Sequence, residues 1–202
     1  QNIFGFVRYV QKGSDAESKG IKRGMVFNDI NGIRLTRDNY RDLLYNQTSS
    51  SYTIKFSEIS YNQNNQCANI IPGQEDLTLV KSRIVKNPIH ISKIIEVEGQ
   101  KVGYLMYNQF VGVVESEGKD YNSELNNVFS NFLSNGINDL VVDLRYNPGG
   151  RISTSINLAS MITGQFNNQV FAKERWNSKL MNYWDENSPE SLLNRFTNKL
   201  SN

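Results

Sequence analysis

The stretch Leu140–Gly150, LVVDLRYNPGG, decides the fold, because an apolar run ends there in two charges, an Asn-Pro turn and a double glycine. The run LVV is typical of a strand covered on both faces, and helical patterns precede and follow it. This β-α-β-α order predicts an α/β fold with a mainly parallel sheet. Sites in such sheets lie just beyond the carboxyl ends of strands, so the sequence predicts a site at the turn that follows.

The turn itself consists of Asn147, Pro148, Gly149 and Gly150. Pro148 fixes its φ angle and has no N–H, whereas the two glycines can adopt positive φ and let another backbone or a substrate come close. Because Ile152 opens a helix, N–H groups near the glycines would point towards an anion or a polarised carbonyl. The alternative is a glycine-rich strand-to-helix turn without chemistry.

Two charged residues, Asp143 and Arg145, stand just before the turn. Their spacing of two residues places both side chains on one face of an extended chain. We interpret them as an ion pair that holds the turn, in preference to a direct role in catalysis. Together with Asn147 they form the predicted support of the site.

The composition excludes several classes of site. A chain of 202 residues with 38% hydrophobic and 21% charged residues is ordinary for a globular protein of one large or two small domains. The net charge of +2, without a basic stripe, argues against a nucleic-acid partner. The lone cysteine, Cys67, cannot form an internal disulfide, and neither it nor the lone His90 stands in a cluster with metal-ligand spacing. We therefore expect no metal and no cofactor.

The first part of the chain alternates strand and helix patterns. Three strands and two short helices are predicted: a strand at 3–10, a helix capped by Ser14, a strand at 25–30 that ends at Asn31-Gly32, a helix capped by Thr36 that runs to Tyr45, and a strand at 52–56.

This order resembles a PDZ domain of the permuted kind found in bacterial proteases, through Ser14-Asp15-Ala16, Gly20-Ile21-Lys22-Arg23-Gly24 and Ile30-Asn31-Gly32. PDZ domains bind an extended C-terminal peptide as an added strand beside a helix. The resemblance implies a peptide-binding groove whose helical wall carries three apolar or aromatic residues, namely Tyr40, Leu43 and Leu44. The alternative is a PDZ fold that serves only as a spacer or a docking module.

The predicted fold class of the chain is α/β and α+β. We place the PDZ-like domain at residues 1–59, with the expectation that its N-terminal part is truncated, a polar linker at 60–75 and a second domain at 76–202. The predicted elements of the second domain include two strands joined at Glu98-Gly99-Gln100, helices at 122–135 and 152–162, a short strand at 169–172 and a terminal helix at 189–200.

The segment DLRYNPGG, followed by ISTSINLASMITG, resembles the DLRxNPGG segment of the C-terminal processing peptidases, also called tail-specific proteases. Gly103-Tyr104-Leu105 with Phe110 resembles the vGYixixxF strand of the same family. The resemblance implies the N-terminal part of a ClpP/crotonase-like protease core. It also implies that an N–H of Gly149 or Gly150 forms part of an oxyanion hole.

The family's nucleophile and base are a serine and a lysine. The resemblance places the serine in a small-residue, serine-rich segment downstream of the turn and the lysine later still. No such segment occurs before Asn202. Ser153 fits helix capping or solvation, and Lys173 and Lys179 show no mark of the burial that lowers the pKa of a lysine base. We therefore expect this chain to contain no catalytic residue, to be inactive alone, and to be followed by the Ser-Lys dyad.

Two functions from different classes stay open. The first is a serine endopeptidase of the C-terminal processing type, and the second is a non-catalytic, PDZ-containing peptide-binding protein with a protease-like core. The resemblance implies polypeptide C-termini or unfolded proteins as substrates, and it is compatible with a homo-oligomer. It further implies an extracytoplasmic location in a bacterium, in the periplasm or associated with the outer envelope.

Overall fold

The structure, a computed structural model, describes residues 1–46, 48–62 and 67–198. The chain forms two compact units, which divide between Lys86 and Asn87. Each unit has its own cluster of buried apolar side chains. In the described part of the chain, no helix is long and apolar enough to cross a membrane.

The first unit is built on an antiparallel sheet. Its elements are β1 (Gly5–Phe6), α1 (Asp15–Ser18), β2 (Val26–Ile30), β3 (Ile33–Arg34), α2 (Tyr40–Leu44), β4 (Ser51–Asn62) and β5 (Cys67–Val80). The strand order is β1-β2-β4-β5, and β3 pairs with β2. The core consists of Ile21, Ile30, Leu35, Leu43, Ile54 and Leu79.

Local sequence signals explain the start of α1 and the first hairpin. The hydroxyl of Ser14 accepts a hydrogen bond from the backbone N–H of Glu17, at 3.1 Å, as expected of a helix N-cap. Asn31 and Gly32 have φ angles of 54° and 74°. A two-residue hairpin turn of type I′ needs positive φ at both positions, and β2 and β3 pair across this turn as the sequence predicted.

The division between the two units, between Lys86 and Asn87, differs from the linker that the sequence analysis placed at 60–75. In the described residues of the expected linker at 60–75, β4 and β5 continue as one long hairpin that pairs from Ser51 with Val80 to Asn62 with Cys67. Residues 63–66 of that stretch lie outside the described residues. A hairpin satisfies its backbone hydrogen bonds by pairing and tolerates polar side chains on an exposed face, so the polar composition did not exclude strands. The PDZ assignment of this unit stays a prediction.

The second unit contains three helices and several short strands. Its elements are β6 (Ile89–Val97), β7 (Gln100–Tyr107), β8 (Val113–Val114), β9 (Lys119–Asp120), α3 (Tyr121–Ser134), β10 (Asp139–Asp143), α4 (Ile152–Thr163), β11 (Val170–Lys173), α5 (Ser178–Asn187) and β12 (Leu193–Arg195), with 3₁₀ turns at Glu115–Glu117 and Pro189–Leu192.

The main sheet of the second unit is mixed, so the prediction of a mainly parallel sheet was wrong. Its order is β10-β7-β6, in which β10 and β7 are parallel but β6 and β7 are antiparallel. Glu98 and Gly99, with φ angles of 50° and 77°, form a tight turn between β6 and β7. Such a turn can join only antiparallel neighbours.

The strand β10 is also less covered than its apolar run indicated. Among the described residues it pairs with β7 alone, and the side chain of Val141 is 46% exposed. Helices α3 and α4 supply the core on the other face, where the buried residues are Leu105, Tyr107, Leu125, Phe132 and Leu158. The run LVV therefore marks a strand buried mainly on one face.

The C-terminal part of the chain differs from the predicted helix at 189–200. The helix α5 ends at Asn187, and residues 193–195 form β12, which pairs with β11. Asn177 starts α5, because its side-chain oxygen accepts a hydrogen bond from the N–H of Leu180 at 3.1 Å. Residues 199–200 of the predicted helix lie outside the described residues.

Candidate functional site

The candidate site is the turn that connects β10 to α4. The turn closes with a hydrogen bond from the N–H of Asn147 to the carbonyl oxygen of Leu144, at 2.9 Å. Gly149 and Gly150 have φ angles of 109° and 143°. Residues with a Cβ rarely adopt such angles, so both positions require glycine on conformational grounds.

The side chain of Asn147 joins this turn to the neighbouring strand. Its Nδ2 donates a hydrogen bond to the carbonyl oxygen of Tyr107, at the end of β7, over 3.0 Å. Its Oδ1 accepts a hydrogen bond from the N–H of Gly149 over 2.8 Å. Both the donor and the acceptor of the Asn147 carboxamide thus have partners, and the N–H of Gly149 is hydrogen-bonded within the protein.

Phe110 holds the other end of the turn. Its N–H donates to the carbonyl oxygen of Gly149 at 3.0 Å, and its carbonyl oxygen accepts from the N–H of Arg151 at 2.8 Å. These two bonds form a parallel bridge between Phe110 and Gly150. A Cβ on Gly150 would overlap the carbonyl oxygen of Phe110, so this glycine is needed sterically as well.

The bridge decides which N–H faces outward. In a parallel bridge, the residue whose two neighbours make the bonds turns its own N–H and C=O away from the partner strand. Gly150 occupies that position, and it is exposed. Its N–H has no hydrogen-bond partner among the residues that the structure describes.

The ion pair between Asp143 and Arg145 is present next to the turn. Asp143 is 7% exposed, and its carboxylate has several hydrogen-bond partners. It accepts hydrogen bonds from the Nε of Arg145 at 2.9 Å and from the backbone N–H of the same residue at 3.1 Å. The guanidinium of Arg145, aided by one further residue, holds the pKa of Asp143 well below its usual range, and the same pairing raises the pKa of Arg145.

That further residue is Tyr104, which the sequence analysis did not assign to the support of the site. Its hydroxyl donates to Oδ2 of Asp143 at 2.7 Å, and this bond raises the pKa of the Tyr104 hydroxyl. The register between β7 and β10 pairs Tyr104 with Val141, so Tyr104 and Asp143 lie on one face of the sheet. Only the strand pairing reveals this contact.

Asn108 is a second residue that sequence reasoning missed. It follows β7, lies between the two residues that bind the turn, and is 8% exposed. Its backbone N–H donates to the carbonyl oxygen of Pro88 at 2.8 Å. Within the described chain, neither Oδ1 nor Nδ2 of its side chain has a hydrogen-bond partner.

Comparisons with known proteins found a family similarity for the part of the chain that contains this turn. Residues 101–198 match the sequence model of Peptidase family S41. The match covers a little under half of the chain, and we call residues 101–198 the S41 segment because of this similarity. The S41 segment contains Tyr104, Asn108 and the complete turn, so the similarity to peptidase family S41 includes the residues that carry the resemblance to the C-terminal processing proteases.

A solved structure supports the same assignment. The chain is similar to a protein from Bacteroides fragilis NCTC 9343 that is provisionally named an S41 protease, with 28% sequence identity and a TM-score of 0.71. The match covers 98% of this chain and 48% of that one, so the chain spans about half the length of the solved protein. A search of curated proteins gave no match.

Serine and lysine side chains in the S41 segment are not arranged as a catalytic dyad in the described residues. Ser153 is exposed in the first turn of α4. The side chain of Lys173 is 48% exposed and pairs with Asp185 at 3.7 Å, and Lys179 is exposed in α5. A lysine base requires burial to be neutral near pH 7, so these positions do not provide one.

Other predicted site residues lie in the first unit. Leu43 is buried in the core of that unit, and Tyr40 and Leu44 are half-buried and pack against it. Peptide binding by these side chains stays a prediction. Among the described residues, no group of three or more His, Cys, Asp or Glu side chains could hold a metal ion.

Proposed function

We propose that the protein is a serine endopeptidase of the C-terminal processing type, which hydrolyses peptide bonds near the C-termini of polypeptides. The observation that carries this proposal is the outward N–H of Gly150, in the NPGG turn of an S41 segment. In acyl transfer, negative charge develops on the oxygen of the scissile carbonyl. A fixed backbone N–H aimed at that oxygen stabilises the transition state.

Gly150, and not Gly149, is the donor in this proposal. The N–H of Gly149 is bonded to Oδ1 of Asn147 at 2.8 Å, whereas the N–H of Gly150 faces away from Phe110. One aligned oxyanion donor is typically worth about 2.7–4 kcal/mol of transition-state stabilisation. The two glycines therefore have different roles, since one closes the turn and the other faces the substrate.

The Ser-Lys dyad completes the mechanism in the polypeptide that follows Asn202. The serine hydroxyl attacks the scissile carbonyl, and a buried, neutral lysine takes its proton. This placement makes the 202-residue chain inactive alone. It is supported by the exposure of Lys173 and Lys179 and by the solved S41 relative, of which this chain covers 48%.

The first unit supplies substrate recognition in this proposal. A PDZ-like unit would bind a polypeptide C-terminus as an added strand, with Tyr40 and Leu44 beside it. The substrates are polypeptide C-termini or unfolded proteins, and the protein acts outside the cytoplasm of a bacterium, in the periplasm or at the outer envelope, as a monomer or a homo-oligomer. The proposed chemistry needs no metal or cofactor.

Cleavage of a tailed peptide by the full-length protein tests this function. We expect a peptide with an apolar C-terminal tail and a free carboxylate to be cleaved faster than the same peptide with an amidated C-terminus. Mass spectrometry of the products measures both rates. Ser153→Ala is the control, and it should leave the rate unchanged because Ser153 is not the nucleophile.

The alternative function predicts a different outcome of the same experiment. A non-catalytic peptide-binding protein would bind the tailed peptide without cleaving it, and it would not react with a fluorophosphonate that labels activated serines. That result would overturn the proposed peptidase. Cleavage by the 202-residue chain, abolished by Ser153→Ala, would contradict the placement of the dyad.

A further inference from the structure

We propose that Asn147 is the positioning residue that selects and aims the oxyanion donor, an inference that rests on the proposed peptidase function. Its carboxamide stands between the N–H of Gly149 and the carbonyl oxygen of Tyr107, at 2.8 Å and 3.0 Å. It contacts neither the substrate nor the reacting atoms in this role. It acts through the backbone of the turn.

The first effect of Asn147 is to select one of two adjacent donors. Two consecutive glycine N–H groups could both turn towards a substrate, because glycine adopts many backbone conformations. Oδ1 of Asn147 engages the N–H of Gly149, which fixes the peptide plane on that side. Gly150, at a φ angle of 143°, then presents its N–H on the opposite side from Phe110.

The second effect is to fix the distance between the turn and β7. Three hydrogen bonds join residues 107–110 to the turn: Nδ2 of Asn147 to Tyr107, the N–H of Phe110 to Gly149, and the N–H of Arg151 to Phe110. The bond from Asn147 is the side-chain member of this set. Without this bond, only the two backbone bonds of Phe110 would hold the turn to residues 107–110, and the outward N–H of Gly150 would be free to shift.

The isosteric change Asn147→Asp isolates this role in the full-length protein. Aspartate keeps an oxygen that accepts from Gly149, but it has no N–H for Tyr107 and places a negative charge beside that carbonyl. We expect kcat to fall by about 10- to 100-fold, because a small displacement of an oxyanion donor removes much of its effect. We expect KM to change by less than about threefold, since the donor acts on the transition state.

An inhibitor that forms a tetrahedral adduct distinguishes a misplaced oxyanion donor from a general loss of structure at the site. The affinity for a peptide boronic acid, which forms a tetrahedral adduct with the serine, should fall in parallel with kcat/KM, while the affinity for the cleaved product peptide should not change. The matched control is Asn182→Asp, the same isosteric change at an exposed position of α5. It should leave kcat, KM and boronic acid affinity at the wild-type values.

Each outcome decides the inference. An active wild type whose Asn147→Asp variant keeps kcat and boronic acid affinity overturns it and leaves the peptidase function in place. Equal losses of product and boronic acid affinity would show a merely structural residue and overturn it as well. A wild type that cleaves nothing overturns the proposed function, and this inference with it. If the aspartate variant does not fold, Asn147→Ser, which retains an acceptor for Gly149, is measured in the same way.

Discussion

Asp143 illustrates how a buried charge at the site depends on its neighbours. The guanidinium of Arg145 and the hydroxyl of Tyr104 hold the pKa of the carboxyl well below its usual range. The unfolded chain has an aspartate pKa of about 3.9, so it binds this proton more readily than the folded protein does. The stabilisation by Asp143 is therefore present above about pH 4, and it is lost as the pH falls towards the folded-state pKa.

We expect Asp143→Asn to lower the free energy of unfolding by roughly 1.5–3 kcal/mol at about pH 7, the range for hydrogen bonds to a charged group. The difference from wild type should shrink at about pH 3, where the carboxylate of the unfolded chain is mostly protonated. Urea unfolding of the variant and the wild type at both pH values measures this difference in free energy. The control Tyr104→Phe keeps the charge of Asp143 and should lower the free energy of unfolding by less. An equal loss in Asp143→Asn at both pH values would contradict the lowered pKa of the Asp143 carboxyl.

Single residues of the site were predictable from sequence only where a local motif marks them. The NPGG turn and the pair Asp143–Arg145 lie within a few residues of each other, so spacing alone brought them together. The contacts of Tyr104 and Asn147 join residues about forty positions apart, with sequence separations of 39 and 40. Such contacts depend on the register between β7 and β10, which no local pattern sets.

Among the elements, the β4–β5 hairpin places the strictest demand on one glycine. Gly73 faces the backbone of Phe56 where the pairing is irregular between Lys55 and Ser57. A Cβ at this position would overlap the carbonyl oxygen of Phe56, and a backbone atom cannot move aside as a flexible side chain can. The irregularity in the hairpin thus depends on a residue without a side chain.

We expect Gly73→Ala to destabilise the first unit by about 1–3 kcal/mol, the usual cost of forcing extra atoms into a packed position. Hydrogen–deuterium exchange should rise at the amides of β4 and β5, because the pairing near Phe56 must open. Ser60→Ala, at an exposed position of the same hairpin, is the control and should cost less than about 0.5 kcal/mol. Unchanged exchange in Gly73→Ala would mean that the hairpin can adjust without cost.

The elements that sequence patterns predicted well are those with strong end signals. Helix α3 is capped by Asp120, whose carboxylate accepts from the N–H groups of Asn122 and Ser123, and it is followed by Gly136 at a φ angle of 62°. Strand β12 carries no comparable signal. It forms because β11 offers a partner edge, and this pairing overrides the helical pattern that begins at Pro189.

At the scale of the whole molecule, composition and structure place the division of the chain at different points. A polar, turn-rich stretch and a paired hairpin with exposed faces have similar compositions, because both leave polar side chains in water. The two units divide instead between Lys86 and Asn87. Residues 81–87 lie in no helix or strand, and all of them except Ile84 are exposed.

Limited proteolysis distinguishes these two divisions. Backbone that is exposed and outside regular pairing is cut first, whereas paired strands must open before a protease can bind them. Trypsin alone cannot decide, because residues 57–73 contain no lysine or arginine. Thermolysin cuts before large apolar residues and can attack both stretches, at Ile84 and Val85 or at Ile59 and Ile70. We expect its first cut at 84–85, followed by two resistant products that mass spectrometry assigns to the two units. A first cut at Ile59 or Ile70, which pair with each other in β4 and β5, would instead indicate that the hairpin is open in solution and that the linker lies where the composition placed it.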